Sequence, residues 1–278
     1  MHSVIFCHTG YKHLMDDCLQ SIHNNVLDTI SSTTIISNSP ISISGVNNIL
    51  DRDFWDIVDP KFNHMNVYKH NWVKQQILKL NLDKILEGPV LVSDADIIYT
   101  NPIKWLDGKK NKLFYRLSPM DKSQKFVKTL VDIDPTVGYI TNSMIFQTDV
   151  LGSLRNDIEN KFERNQIEIY RDTVLEDPAL GTIHPDIFMS EHELYNTYFA
   201  EKYPDRVWEF QKFKMKEYWT YKKDFDENLS YNHKDTLWLS FYESVRGSDW
   251  PDCYYKDDFK NLPQWIQDEC IDVHGYKE

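Results

Sequence analysis

Short β-branched apolar runs alternate with helix-period segments through the first hundred residues, and this alternation constrains the fold more than any other property of the chain. Residues 3–8 are an apolar run closed by Thr9-Gly10. Leu14, Cys18 and Ile22 then recur at i, i+4 and i+8 with Met15, Leu19 and Val26 beside them, the spacing of an amphipathic helix. Residues 33–37 read as a second strand stopped by Asn38-Ser39-Pro40, and residues 66–69 as a third. Val73, Ile77 and Leu80 mark a helix whose other side carries Lys74, Gln75 and Lys79. After Gly88-Pro89 comes Val90-Leu91-Val92, a buried strand. Such alternation predicts an α/β chain built on a mostly parallel sheet with crossover helices.

Further along, residues 112–117 and 139–146 read as strands and residues 149–162 as a helix. Ser190 and Glu193 form an S-x-x-E capping box that opens a helix carrying Leu194, Tyr195, Tyr198 and Phe199. Residues 207–250 are rich in Trp, Tyr, Phe and Lys without a clear period. One domain, 1–278, is expected, with a division near residues 100–102 and no flexible linker.

The formal net charge of −12 argues against broad electrostatic binding to nucleic acid, which needs clustered Lys and Arg. The first residues form no basic leader, and no run reaches the roughly 18 apolar residues that span a bilayer. Cys7, Cys18, Cys253 and Cys270 lack CxxC spacing and read as buried thiols of a reducing compartment. A soluble, cytoplasmic protein without a transmembrane segment is the expectation.

Asp94-Ala95-Asp96 carries the chemistry. It closes the run Val90-Leu91-Val92-Ser93, so two carboxylates stand at the carboxyl end of a buried strand, the edge where ligands bind open α/β sheets. Two acids so close repel, and their burial is costly unless a cation compensates. Mg²⁺ or Mn²⁺ suits hard oxygen ligands and keeps positions open for substrate phosphates. The plain alternative is a strand-end turn with one Asp capping and the other solvated.

The apolar strand before this pair, Ile97-Ile98-Tyr99 after it and Asn101-Pro102-Ile103 beyond resemble the D-x-D segment of glycosyltransferases with the GT-A fold. Asn142-Ser143-Met144-Ile145-Phe146 is similar to that family's Asn-Ser-Gly strand, with Met144 in place of the glycine. Ser190-Glu191-His192-Glu193 falls where the family has an acidic motif, and Val273-His274-Gly275-Tyr276-Lys277 resembles its His-x-Gly-x-x-Lys segment with one residue fewer. The order of these pieces is most like the retaining branch that includes glycogenin and bacterial galactosyltransferases. The resemblance covers about two thirds of the chain. It implies a Rossmann-like nucleotide-sugar-binding half, 1–100, continuous with an acceptor-side half, 101–278.

The resemblance also implies transfer of a sugar from a UDP-sugar to a hydroxyl acceptor. Asp94, Asp96 and His274 would be ligands of Mn²⁺ or Mg²⁺, with His233 as the rival third ligand. Asn142 would line the sugar pocket and Lys277 would meet the diphosphate. Glu191 is preferred over Glu193 as the functional carboxylate, because Glu193 suits the capping role; in an inverting reaction Glu191 would be the general base. In a retaining reaction the leaving phosphate takes the proton. His8, Thr9 and Tyr11, at the end of the first strand, either meet the base and ribose or pack and cap locally. Gln75 and Lys79 either reach the donor or lie on a solvated helix face. Glycan or lipid-linked saccharide is the default acceptor; a modified DNA base is a minority option that the charge does not favour.

Two rivals remain. A nucleotidyltransferase shares the sheet and the metal but needs a Gly-rich basic loop, which Thr9-Gly10-Tyr11-Lys12 is not. A non-catalytic carbohydrate-binding protein is suggested by the Trp and Tyr concentration between Trp208 and Trp250. A dehalogenase-type phosphatase is disfavoured, since its D-x-D opens the chain and Ile98 stands where Thr or Val belongs.

Overall fold

The computed structural model describes residues 1–7, 15–59, 71–115, 121–139, 141, 143–177, 182–183, 186–212, 215–218 and 238–241. Two compact units are distinguished. The first is Met1–Lys216 with His233–Ser240, and the second is Glu217–Asn232 with Phe241–Glu278, of which only residues 217, 218 and 241 are described.

The first unit is centred on a five-stranded sheet made of β1 (His2–Cys7), β2 (Ser32–Ser37), β3 (Asn47–Leu50), β4 (Pro89–Asp94) and a late strand, Ser143–Gln147. Their order is β3-β2-β1-β4 and then the late strand. The first four run parallel, and the last runs antiparallel against β4. This is the expected α/β class with a mostly parallel sheet. Helices α1 (Met15–Asn25), α2 (Asp51–Val58) and α3 (Asn71–Lys79) fall in the connections between the parallel strands. After β4 the chain forms β5 (Ile97–Tyr99), β6 (Leu106–Asp107), β7 (Lys110–Tyr115) and α4 (Asp121–Val131) before the late strand, β8. Then follow α5 (Thr148–Phe162), α6 (Gln166–Val174), β9 (Leu175–Asp177), β10 (Thr182–Ile183), α7 (Glu191–Lys202), β11 (Val207–Lys212), β12 (Met215–Tyr218) and β13 (Trp238–Phe241).

Side chains alternate across a strand, so each strand feeds two cores. Val4, Phe6, Val90, Val92, Met144 and Phe146 join the side covered by α2, α3, α5 and α7. Ile5, Cys7, Leu91 and Ile145 join the other, where α1 supplies Met15, Cys18 and Ile22. Burial on both faces explains why these strands read as continuous apolar runs. Cys7 and Cys18 are indeed buried thiols; Cys253 and Cys270 lie outside the described residues. No helix among the described residues is long and apolar enough to cross a membrane.

Several elements differ from the sequence reading. The strand expected over 139–146 begins at Ser143, because the backbone N–H groups of Tyr139 and Thr141 are taken by Glu193 Oε2 (2.7 Å) and His192 Nδ1 (3.3 Å) of α7. The elements β3, α2, α4 and α6 were not anticipated, being short or locally ambiguous in period. The strand expected at residues 66–69 lies outside the described residues. Helix α7 is buried along Glu191–Phe199, polar residues included.

A buried hydroxyl cluster ties β4, β5 and β8 together. Ser93 Oγ bonds Tyr99 OH at 2.9 Å and Ser143 Oγ at 2.8 Å, and the tyrosine and Ser143 hydroxyls also bond each other. Since Ser93 and Tyr99 flank Asp94-Ala95-Asp96, the cluster closes that turn at its base. Tyr99→Phe removes one member while the two serines keep each other. An expected loss of about 0.5–1.5 kcal/mol in urea unfolding follows. An unchanged midpoint would mean that backbone contacts alone hold the turn, such as Ala95 N–H to Phe6 O at 3.0 Å.

Candidate active site

The sheet order gives the site its place. Counting outward from β1, the chain builds β2 and β3 on one side and then turns to build β4 on the other. At such a reversal the helices leave opposite faces, so a crevice opens at the carboxyl ends of the two strands. Asp94, the last residue of β4, is the register partner of Phe6, one residue from the end of β1. The two-carboxylate turn therefore lies at the carboxyl edge of the sheet where the strand order reverses.

Two residues of α3 converge on Asp94. Lys79 Nζ lies 2.9 Å from Asp94 Oδ1, and Gln75 Nε2 donates to the same oxygen at 3.2 Å. Lys79 Nζ also sits 2.8 Å from Glu191 Oε1 and 5.5 Å from the centre of the Phe6 ring. The helix side that could have been solvated is not. The Lys79 side chain is 2% exposed and Glu191 4%, while Asp94 keeps 29%. One turn of helix separates Gln75 from Lys79, which is why both reach one carboxylate.

Burial alone would lower the Lys79 ammonium, but the charges of Asp94 and Glu191, and its hydrogen bonds to both, hold it well above the ordinary lysine value. Burial pushes the Glu191 carboxyl up. The Lys79 charge, helped by His192 and by the Lys79 hydrogen bond, outweighs it and leaves Glu191 below its ordinary value. Glu191 is thus a fixed anion at neutral pH, paired with a fixed cation. His192 Nε2 stands 3.4 Å from the same Glu191 oxygen, while Nδ1 accepts the Thr141 N–H. Ser190 Oγ caps α7 by accepting from Glu193 N–H at 3.2 Å, the first half of the expected capping box. The Glu193 carboxylate accepts from Tyr139 N–H, so it supports the chain entering β8.

Asp96 is 7% exposed, and its charge acts on Cys18 of α1. Burial, followed by the charges of Asp96, Cys7 and Asp94, raises the Cys18 thiol far above its ordinary value, so Cys18 is a packed, unreactive group. Among the described residues no cluster of three or more His, Cys, Asp or Glu has the arrangement of a metal site. The donor set present still suits a hard divalent cation. Both donors to Asp94 use Oδ1, the carboxylate stays partly exposed, and Asp96 adds a second carboxylate two residues on. Lys79 compensates only one of the two anions that it touches, so the trio with Asp94 and Glu191 carries one formal negative charge before Asp96 adds its own.

Of the residues singled out from the sequence, Asp94, Gln75, Lys79 and Glu191 come together here, with Asp96 in the same turn. His8, Thr9, Tyr11, Asn142, His233, His274 and Lys277 lie outside the described residues. The sequence reading missed Gln76, whose Oε1 accepts from Glu191 N–H at 3.5 Å, and the hydroxyl cluster of Ser93, Tyr99 and Ser143. A helical wheel marks Gln76 only as polar, and nothing local in the sequence pairs residues 50 apart.

No protein-family model matches the chain, and no curated protein does. Among solved structures, mouse xyloside xylosyltransferase 1 in its apo form is 10% identical, with a TM-score of 0.44 over 86% of this chain and 96% of that one. The galactosyltransferase LgtC in complex with donor and acceptor sugar analogs is 11% identical, with a TM-score of 0.43 over 87% of each chain. At these scores the likeness is distant, and the site stands on its own residues.

Proposed function

We propose that the chain is a metal-dependent glycosyltransferase of the GT-A kind, moving a sugar from a UDP-sugar to a hydroxyl acceptor. One observation carries the reading. Asp94 stands at the reversal of the sheet order, its Oδ1 held by Lys79 and Gln75, with Glu191 backing Lys79. The sequence resemblance around Asp94 and Asp96 adds the nucleotide sugar as the ligand. Residues 1–100 then form the donor side and residues 101–278 the acceptor side of one functional unit.

In this reading Asp94 and Asp96 hold Mn²⁺ or Mg²⁺, and the sequence resemblance names His274, or its rival His233, as the third ligand. Such an ion supplies positive charge to the diphosphate and to UDP as it departs. Lys79 remains protonated and fixes the Asp94 rotamer, so the carboxylate is oriented before any ligand arrives. Gln75 narrows that orientation further. The sequence resemblance would give His8, Thr9 and Tyr11 the base and ribose, Asn142 the sugar and Lys277 the diphosphate. A general base needs a pKa near the working pH, and Glu191 is held below the usual carboxylate range by Lys79. We therefore assign Glu191 to anchoring Lys79. That assignment favours retention, with the leaving diphosphate taking the acceptor proton.

Thermal melting with UDP, GDP, CDP and ADP, each with Mn²⁺ or EDTA, tests the class. Ligand at 100 times its dissociation constant adds about 2.7 kcal/mol. A shift with UDP only when metal is present is the expected result. No shift with any nucleotide would overturn the reading and favour the non-catalytic saccharide binder.

A further inference from the structure

A separate cavity of about 490 Å³ lies in the first unit, between the C-terminal half of α7, the end of β7, β11 and the loop that leads into β8. Its volume is within the range of roughly 300–1,000 Å³ common for small-ligand sites. None of Asp94, Lys79 or Glu191 lines it. Thr197, which does, is six residues beyond Glu191, about 9 Å along the helix.

The lining has a definite chemistry. Tyr115, Tyr139 and Phe210 supply aromatic surface, and Phe210 is 54% exposed, one of the few large apolar side chains left open. Asp134 and Glu201 add carboxylates, and no Lys, Arg or His is among the described residues that line the cavity. Glu201, near the end of α7, is exposed, so its carboxylate is open to a ligand in the cavity.

The wall is preformed. Lys128 pairs with Asp134 at 2.7 Å, Gln124 Nε2 donates to Pro135 O at 3.2 Å, and Tyr139 N–H is held by Glu193 Oε2 at 2.7 Å. The Lys128–Asp134 pair is exposed and adds little, so the two hydrogen bonds to Pro135 and Tyr139 are what reduce the freedom lost on binding.

We propose that this cavity is a second saccharide-binding site, taking an uncharged sugar ring. Aromatic faces stack on the apolar face of a pyranose, and the Glu201 carboxylate accepts from its hydroxyls. Asp134 is neutralised by Lys128, and the Glu201 carboxylate disfavours phosphorylated ligands such as the nucleotide sugar itself. The site goes beyond the transfer reading and holds whether or not the Asp94 site transfers a sugar. In a transferase it would grip a glycan away from the reacting end.

Saturation-transfer NMR on the full chain tests this, with maltotetraose, cellotetraose and triacetylchitotriose as neutral probes and tetramethylammonium as a cationic control. At least one oligosaccharide should give transfer. Phe210→Ala should weaken its binding about five- to tenfold, since an aromatic face is lost from the rim. Glu201→Ala should weaken it to a similar degree without lowering Tm, because Glu201 is exposed and its carboxylate is the acceptor lost to the sugar hydroxyls. Asp96→Asn, which keeps the fold, should retain the oligosaccharide signal, and this separates the cavity from the nucleotide site. Four results would each overturn the proposal: no transfer from any neutral probe, transfer only from tetramethylammonium, unchanged affinity in both cavity variants, or loss of binding in Asp96→Asn.

Discussion

Lys79→Met is expected to lower the unfolding free energy by about 3–5 kcal/mol, the scale of breaking a buried ion pair by removing one partner. Methionine fills most of the lysine's volume, so the effect isolates charge from packing. Glu191, 4% exposed, would be left as a buried anion beside Asp94. A second substitution should restore part of the loss: Lys79→Met with Glu191→Gln removes the orphaned charge and is expected to be more stable than Lys79→Met alone. Urea unfolding at pH 7 measures both. A loss below about 1 kcal/mol would mean that the pair contributes no more than a surface ion pair.

The same pair sets an acid and an alkaline limb of stability. The folded Glu191 carboxyl lies below its ordinary value of 4.5, so its contribution is present above that value and is lost as pH falls through the folded one. The folded Lys79 ammonium lies above its ordinary value of 10.5, so its contribution is complete below that pH and is lost as pH rises through the folded one. Lys79→Met should flatten both limbs, which a purely steric substitution does not do.

Asp96→Asn is expected to keep the fold and to lose at least about 10²-fold in turnover with a UDP-sugar, on the scale of lost charge stabilisation. Asparagine has nearly the same shape as aspartate, so the turn held by Ala95 N–H to Phe6 O and by the Ser93, Tyr99 and Ser143 hydroxyls should survive. Release of UDP from the UDP-sugar, followed with Mn²⁺ present, is the readout. Turnover near that of the unaltered protein would remove Asp96 from the metal. The two variants differ in kind: one weakens the scaffold, the other leaves it standing without its chemistry.

The amino-acid sequence by itself determined the local elements whose signals are short-range. The apolar runs of β1, β2 and β4, the i, i+4 spacing of Cys18 and Ile22 in α1, and Ser190 at the head of α7 were all legible, because strand and helix periods are written within a few residues. So was the position of Asp94 and Asp96 at the end of a buried strand. Tertiary structure alone decided the rest. Which strand lies beside β4 depends on crossover connections, and only the order β3-β2-β1-β4 puts Asp94 at the reversal. Whether Lys79 is solvated depends on what covers α3, and the cover is Glu191, 112 positions later in the chain. Glu191 read as a candidate base, and its pairing with Lys79 across the core is not written in the sequence. Charge state at a buried site is set by the groups that burial brings within about 3 Å, and a sequence does not record those distances.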